Sequence, residues 1–462
     1  MSKQETKLSE LNREQLVELV ELLLARVATL EQQVARLKKG DEKTLKKTAQ
    51  NSSVPPSQDE KANRTNKERA KRGAKAGHKA GHKGTSRRRL EPDEIIECRV
   101  SQCRGCGADL TGCQQWVVGR HQVIDIPPPR FVVREARRYR VSCPQCKCQQ
   151  TADYVAGFEK GRMFGSDLEQ VVLYLHHAHP LSYERVQHIL ADLYGLRLSR
   201  GALVNGVKRA QKGLTQTAQA IRQQIKQARV VGSDETTARV DGVSYWQWVF
   251  QTPRLAYHVI RPSRSAQVLR DVMEDARPEV WVSDVLSSQM CHPASAYQIC
   301  LAHQVRDLQY AIDAHQCTWA QRVQSLFHEA MHLHRQRNNL ETDHFHHQRA
   351  AYEQQLDELL HIAPDNTNSE TLRRRFVKHR QALLLFLHRD DVPPTNNASE
   401  QALRNSVIYR KVTGGFRSDW GADVYAALLS ILETARRQGL ALYQTLTAVL
   451  AGHPVFDASL SS

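Results

Sequence analysis

Val230-Val231-Gly232-Ser233-Asp234, followed by Tyr245-Trp246-Gln247-Trp248-Val249-Phe250 and Leu255-Ala256-Tyr257-His258-Val259-Ile260, reads as three consecutive strands. β-Branched and aromatic residues crowd each run, and Asp241-Gly242 and Pro253 mark the turns between them. A helical stretch from Ser265 to about Ala276 comes next, then two short apolar runs, Val280-Trp281-Val282-Ser283-Asp284 and Tyr297-Gln298-Ile299-Cys300-Leu301. Three antiparallel strands followed by alternating helix and strand predict a mixed α/β domain. In that plan Asp234 and Asp284 stand at strand ends, where neighbouring strands can bring them together. A third acid, Glu400, lies in Pro393-Pro394-Thr395-Asn396-Asn397-Ala398-Ser399-Glu400, at the start of an Ala/Leu-rich helix. Clustered carboxylates suit hard cations such as Mg²⁺ or Mn²⁺, which choose oxygen ligands and offset the repulsion between the acids. An Asp at a strand end is by itself more often a turn or capping residue, so the surrounding sequence has to carry the assignment.

Around this core the chain is long and basic. Its 462 residues predict about three compact units. Lys and Arg number 65 against 49 Asp and Glu, a net charge of +16. Such an excess favours a polyanionic partner, because cationic side chains displace counterions from phosphates. A membrane surface or simple solubility would account for the same excess. No apolar run approaches the roughly 18 residues of a membrane span, which argues against a membrane partner, and the N-terminus lacks a basic start followed by an apolar stretch. The expectation is therefore a cytoplasmic protein associated with the nucleoid.

Towards the N-terminus, Val20, Val27 and Val34 repeat at one heptad position and Leu16, Leu23, Leu30 and Leu37 at the other. That seam predicts a parallel two-stranded coiled coil over residues 8–38, and so a homodimer. A helix packing on its own protein would give the same stripe. Residues 39–95 lose the periodicity and carry twelve Lys or Arg against one Glu between Lys61 and Arg89, a basic disordered linker suited to spacing or to DNA backbone contact. Seven of the ten cysteines fall between Cys98 and Cys148. Cys103-x-x-Cys106 and Cys143-x-x-Cys146 form two knuckles within a predicted zinc ribbon at residues 96–155, where four thiolates would close a structural Zn²⁺ site. Cys98, Cys113 and Cys148 are rival ligands.

Residues 160–225 read as helices, with breaks at Pro180 and Gly195 and with Ser182 and Ser199 as N-caps. Two short helices around Gly195 suit a helix-turn-helix, in which Arg200, Asn205, Lys208 and Arg209 would face DNA. A plain helical hairpin fits the same pattern.

The words around the acids resemble the insertion-sequence-66 family of bacterial transposases. Gly232-Ser233-Asp234-Glu235-Thr236, Cys300-Leu301-Ala302-His303-Gln304-Val305-Arg306, Pro394 to Glu400 and Tyr409-Arg410-Lys411 look like family signatures, as do Asn51 to Ser57, Gly81 to Thr85 and the two knuckles. The resemblance spans almost the whole chain. It implies an RNase-H-like catalytic domain at residues 226–450, with a helical insertion over 306–395 and a tail from 451 to 462. Its three acids map onto Asp234, Asp284 and Glu400, which would hold two Mg²⁺ or Mn²⁺ ions. The implied activity is metal-dependent cleavage at transposon ends and transfer of the 3′-hydroxyls to target DNA. Double-stranded DNA is the implied partner, together with accessory proteins of the same element. Arg306, and Arg410 with Lys411, would contact phosphate. The chain departs from the pattern at Val285-Leu286-Ser287-Ser288-Gln289, where many relatives carry tyrosines, and at Gln401, where many carry Arg. Two other functions are weighed against this one. A DNA-binding regulator without catalysis would use only the segments before Gln224. A zinc metalloprotease would use His328-Glu329-x-x-His332, with Glu341, Glu353 or Glu358 as third ligand. Ten histidines between His315 and His388 make a chance match to that motif easy.

Overall fold

A computed structural model describes residues 89–159 and 161–456. The coiled coil predicted at 8–38, most of the linker and residues 457–462 lie outside them. The chain divides into two units. Among the described residues, one comprises Arg162–Tyr183 and the chain from Gly201, and the other the chain up to Gly161 with Glu184–Arg200.

The larger unit is built on one five-stranded sheet. β3 (Val230–Val240), β4 (Val243–Gln251) and β5 (Ala256–Arg261) run antiparallel, and β6 (Val280–Ser283) and β7 (Ala296–Ile299) add parallel strands on the other side of β3, in the order β5-β4-β3-β6-β7. The predicted turn at Asp241-Gly242 is present, with φ of 47° and 75°, the left-handed pair that a two-residue hairpin needs. The helices of the described residues are α1 (Ser166–Leu173), α2 (Tyr183–Tyr194), α3 (Arg200–Lys226), α4 (Ala266–Met273), α5 (Leu301–His315), α6 (Thr318–Gln336), α7 (Thr342–His361), α8 (Thr367–Lys378), α9 (Asn397–Thr413), α10 (Asp419–Arg437) and α11 (Leu442–Leu450), of which α2 from Glu184 onward belongs to the smaller unit. The mixed α/β plan expected from the sequence is thus present.

Side-chain alternation along the strands splits the core into two faces. Val231, Trp248, Phe250, Tyr257, Val259 and Trp281 join a core with α3 and α4. The alternate residues face the other way: Val280 and Val282 pack with α5 to α8, Ala238, Val240 and Ile260 with Tyr409 and Tyr425, and Val249 and Ala256 with Ala402 and Leu403. Each fully buried Leu, Ile or Val contributes about 1.5–3 kcal/mol, which is why these stripes fix which face each helix covers. No helix of the described residues is long and apolar enough to cross a membrane.

The second helix of the expected helix-turn-helix is not short. α3 runs for 27 residues and buries Leu203, Val207, Ala210, Leu214, Ala218, Ile221 and Ile225 along one stripe. Read from the sequence as one of two short helices, it carries polar residues after Arg209. The stripe nevertheless continues on every third or fourth position. Gly195 does end α2: at φ 68° it donates its N–H to Ala191 O at 3.0 Å, an αL-type stop.

In the smaller unit, the two knuckles are folded alike. Cys103 N–H donates to Ala108 O and Gly107 N–H to Cys103 O, and Cys143 N–H donates to Cys148 O and Lys147 N–H to Cys143 O. Gly107 and Lys147 both take positive φ, 76° and 60°. Each turn closes a short antiparallel pair, Gln102 opposite Asp109 and β1 (Arg140–Ser142) against β2 (Gln149–Thr151).

After α9 the chain turns through Gly414 and Gly415, and Phe416 then bridges to the end of β3. A Cβ on Gly415, at φ 106°, would stand 2.7 Å from Arg239 O, whereas one on Gly414, at φ 74°, would meet open space. Gly415→Ala is expected to cost about 1–3 kcal/mol and Gly414→Ala about 1–2 kcal/mol, the smaller loss of the two, in urea unfolding. Equal losses would show that the close approach to Arg239 is not a constraint.

Candidate active site

Asp234 stands in the middle of β3, opposite Val249 of β4, and not at a strand end as the sequence reading had it. What ends there is its pairing with β6. The parallel register runs Val230 with Val280, Val231 with Trp281 and Gly232 with Val282. Continued two residues further, it brings Asp234 beside Asp284, just past the end of β6. Alternation puts both acids on the face that carries α9.

α9 supplies the third acid, Glu400, in its first turn. A carboxylate is favoured there because the open N–H groups and the helix dipole are positive at that end. The helix start is held by Asn396, which is 1% exposed. Its side-chain amide donates to Ser233 O at 2.7 Å, its backbone N–H points to Cys300 Sγ at 3.1 Å, and its side-chain oxygen accepts from Ser399 Oγ at 2.6 Å. Asn396 thus does not cap the helix in the usual way, since its amide is used on β3, one residue before Asp234. Arg437 of α10 secures the same corner by donating to Ala398 O at 3.1 Å and to Gln251 Oε1 at 2.8 Å. Gly232 leaves room for both partners. A Cβ there would lie 2.3 Å from Gln251 Nε2 and 3.2 Å from Asn396 Oδ1.

The three acids therefore share one corner. Burial pushes the Asp234 carboxyl well above the usual range, and the charges of Glu235, Asp284 and Glu400 push it further, against one opposing hydrogen bond from Glu235 N–H. Asp284 accepts from Leu286 N–H at 3.0 Å. Glu400 lies 3.6 Å from His303 Nε2 and 3.5 Å from Arg306 Nη2. Burial holds His303 below the usual imidazole value, with Glu400 pulling the other way. Among the described residues no group of three or more His, Cys, Asp or Glu is placed so that it could hold a metal ion. The chemistry of the residues nevertheless fits a hard divalent cation: three carboxylates of one sign, of which Asp234 is destabilised as an anion.

The other residues singled out by the sequence are dispersed. Arg306 reaches the acids. Arg410 donates to the backbone and hydroxyl of Thr237, so its guanidinium ties α9 to β3, while Lys411 is exposed. Arg200, Asn205 and Lys208 are exposed, but Arg209 is paired with Glu169 at 2.6 Å. His328, Glu329 and His332 lie on the exposed side of α6, opposite its buried Val323, Leu326, Phe327, Ala330 and Leu333. No third ligand gathers there among the described residues. Asn396, Glu235 and Gln289 were not assigned from the sequence. Asn396 stood inside a quoted motif, whereas nothing local marked Gln289.

A family model described as the transposase IS66 family matches residues 161–424, a span holding all three acids, the sheet and α9. The chain belongs to the IS66 transposase family. Residues 3–88 also match a family of unknown function, DUF6444. An uncharacterised protein of Sinorhizobium fredii, y4jO, is 29% identical over 97 residues, which are 21% of this chain and 30% of that protein. The chain thus matches less than a third of that relative's length.

Asp234→Asn is expected to stabilise the cation-free protein at neutral pH, because the neutral amide removes a buried charge that Glu235, Asp284 and Glu400 repel. The folded state holds the Asp234 proton more tightly than the unfolded chain does. Wild-type stability therefore falls as pH rises from the ordinary carboxyl value of about 4 towards the raised one, and the advantage of Asn opens over that range and closes in acid. Thermal unfolding in chelator from pH 4 to 8 measures this, and a less stable variant at pH 8 would contradict it.

Proposed function

We propose that this chain is a metal-dependent DNA transposase that hydrolyses phosphodiester bonds at the ends of its element and joins the freed 3′-hydroxyls to target DNA. The observation that carries this reading is the convergence of Asp234, Asp284 and Glu400 on one corner of the sheet, with Asp234 buried among like charges. The strand order, three antiparallel strands flanked by two parallel ones, supports an RNase-H-like domain. Family membership and the net charge of +16 support DNA as the partner, with element ends and target both bound as duplexes.

Asp234, Asp284 and Glu400 would hold two Mg²⁺ or Mn²⁺ ions, which when bound supply activation of the attacking water or 3′-hydroxyl and charge neutralisation at the leaving oxygen. The protein's own share is placement. β3 holds Asp234 and β6 delivers the chain to Asp284 just past its end, while Asn396 fixes the helix bearing the third acid. Arg306 stands beside Glu400, where a guanidinium can pair with a phosphate oxygen bidentately. His303, kept largely neutral by burial, offers a ring nitrogen to Glu400 without adding a second full positive charge. No side chain is asked to become covalently attached to DNA.

The smaller unit is read as a structural zinc ribbon holding one Zn²⁺ through Cys103, Cys106, Cys143 and Cys146. Its support is the matched build of the two knuckles. Local hydrogen bonding, from the backbone N–H groups of Cys106 and Gly105 first, lowers the Cys103 thiol, and the backbone N–H of Cys148 with the Cys143 thiol lowers Cys146, the direction that favours thiolate ligation. A homodimer through residues 8–38, accessory proteins of the same element and a nucleoid-associated cytoplasmic location complete the proposal.

Strand cleavage and joining on a DNA fragment carrying the element's ends, with Mg²⁺ or Mn²⁺ and any accessory proteins, tests the central claim. Asp234→Asn, Asp284→Asn and Glu400→Gln are each expected to lose at least roughly a thousandfold in rate while DNA binding persists. An active Asp284→Asn would remove that residue from the site, and a wild type inert with every partner supplied would favour a DNA-binding regulator. For the ribbon, metal analysis of the purified protein is expected to give one zinc per chain. Cys103→Ser or Cys143→Ser should lose it and Cys113→Ser should keep it; retention by the first two would sink the assignment.

A further inference from the structure

Asp284 lies just beyond its strand, so something other than the sheet ladder must locate it. The turn that follows is closed by hydrogen bonds in sequence. Leu286 N–H donates to the Asp284 carboxylate at 3.0 Å, and Gln289 N–H donates to Leu286 O at 2.9 Å. Gln289 is fully buried, and its amide is engaged at both ends. Its Oε1 accepts from Trp281 Nε1 at 3.2 Å and its Nε2 donates to Glu235 Oε2 at 2.8 Å. The orientation is forced, because an indole N–H can only donate and a carboxylate can only accept.

Glu235 is the residue after Asp234 and points to the opposite face of β3. Its side chain is 1% exposed, and its other oxygen takes two bonds from Arg264, at 2.9 and 2.7 Å. Arg264 in turn lies over the Trp246 ring at 4.6 Å. Arg264 and Gln289 thus pair the Glu235 carboxylate behind the sheet, although burial first and then the Asp284 charge still push it above the usual range. Trp281 of β6, the turn after Asp284 and the neighbour of Asp234 are all joined through one glutamine.

We propose that Gln289 and Glu235 form a clamp, braced by Arg264, that sets the distance between Asp284 and Asp234 and so acts as a pair of positioning residues for the cation site. This rests on the reading of Asp234 and Asp284 as cation ligands. The clamp touches neither DNA nor cation, and its effect is on the geometry of the ligands. Hydrogen-bonded groups behind metal ligands typically change affinity about 10–100-fold when removed.

The test is Mn²⁺ binding to the full-length protein without DNA, by titration calorimetry, alongside the Mn²⁺ concentration for half-maximal cleavage and the thermal midpoint. Gln289→Leu is expected to weaken Mn²⁺ about tenfold or more. Gln289→Glu sets two carboxylates against each other and should do at least as much. Combining it with Glu235→Gln restores the pattern: the new Glu accepts from Trp281 and from the new Gln amide, whose oxygen still accepts from Arg264. That exchange is expected to recover Mn²⁺ affinity to within a few-fold of wild type. The clamp is refuted if folded Gln289→Leu binds Mn²⁺ as tightly as wild type, or if the exchange recovers the thermal midpoint of Gln289→Glu without recovering Mn²⁺ affinity. Asp284→Asn serves as the reference. If it leaves Mn²⁺ binding unchanged, the ligand reading itself fails; if it weakens binding and Gln289→Leu does not, the clamp alone fails.

Discussion

The buried amide of Asn396 joins parts of the chain 163 residues apart, and the corner of the larger unit that holds the acids depends on it. Its donation to Ser233 O brings the first turn of α9 onto β3 beside Asp234, and its backbone N–H on Cys300 Sγ brings in the start of α5, with His303 and Arg306. A buried amide left without these partners would carry a desolvation cost of about 1–3 kcal/mol, so the three segments are tied to one arrangement. Gly232 is part of the same constraint, because the approach of Asn396 and Gln251 leaves no space for a side chain.

That corner collects negative charge that the fold by itself does not neutralise. Burial and three neighbouring carboxylates all act against ionised Asp234. Arg306 and His303 approach Glu400, and Arg264 answers Glu235 from the other face of the sheet, so the nearby cations are placed around the cluster and not within it. An arrangement of this kind is under electrostatic stress until something positive enters, and a divalent ion relieves it most directly. The transposase reading of the site follows from that stress as much as from family membership.

The helices between β7 and α9 show why His328, Glu329 and His332 share one exposed face. His328, Glu329 and His332 fall on successive exposed positions of α6 because the opposite stripe is needed for the core under α5, α7 and α8. Helical periodicity alone sets His at i and i+4 on one face, and ligation needs a third group that no facing element provides among the described residues. Burial first and then the neighbouring Glu329 charge push the Tyr352 phenol of α7 up.

The order of strands and their turns were legible in the sequence by itself, because alternation, β-branched runs and Asp241-Gly242 act over a few residues, and a local signal suffices for a local structure. So was the position of Glu400 in the first turn of a helix after a Pro-Asn loop. The family words picked out Asp234, Asp284 and Glu400, although alternation alone could not have separated them from any other acid near a strand. Only the tertiary structure decided that Asp234 is an interior residue of a long strand, that the β3–β6 register sets it beside Asp284, and that Asn396 ties the third acid to both. It also decided the roles of Gln289, Glu235 and Arg437, and the full length of α3. The physical reason is the same in each case: these features are contacts between segments far apart in sequence, and a glutamine or arginine looks the same whether it meets water or closes a buried network.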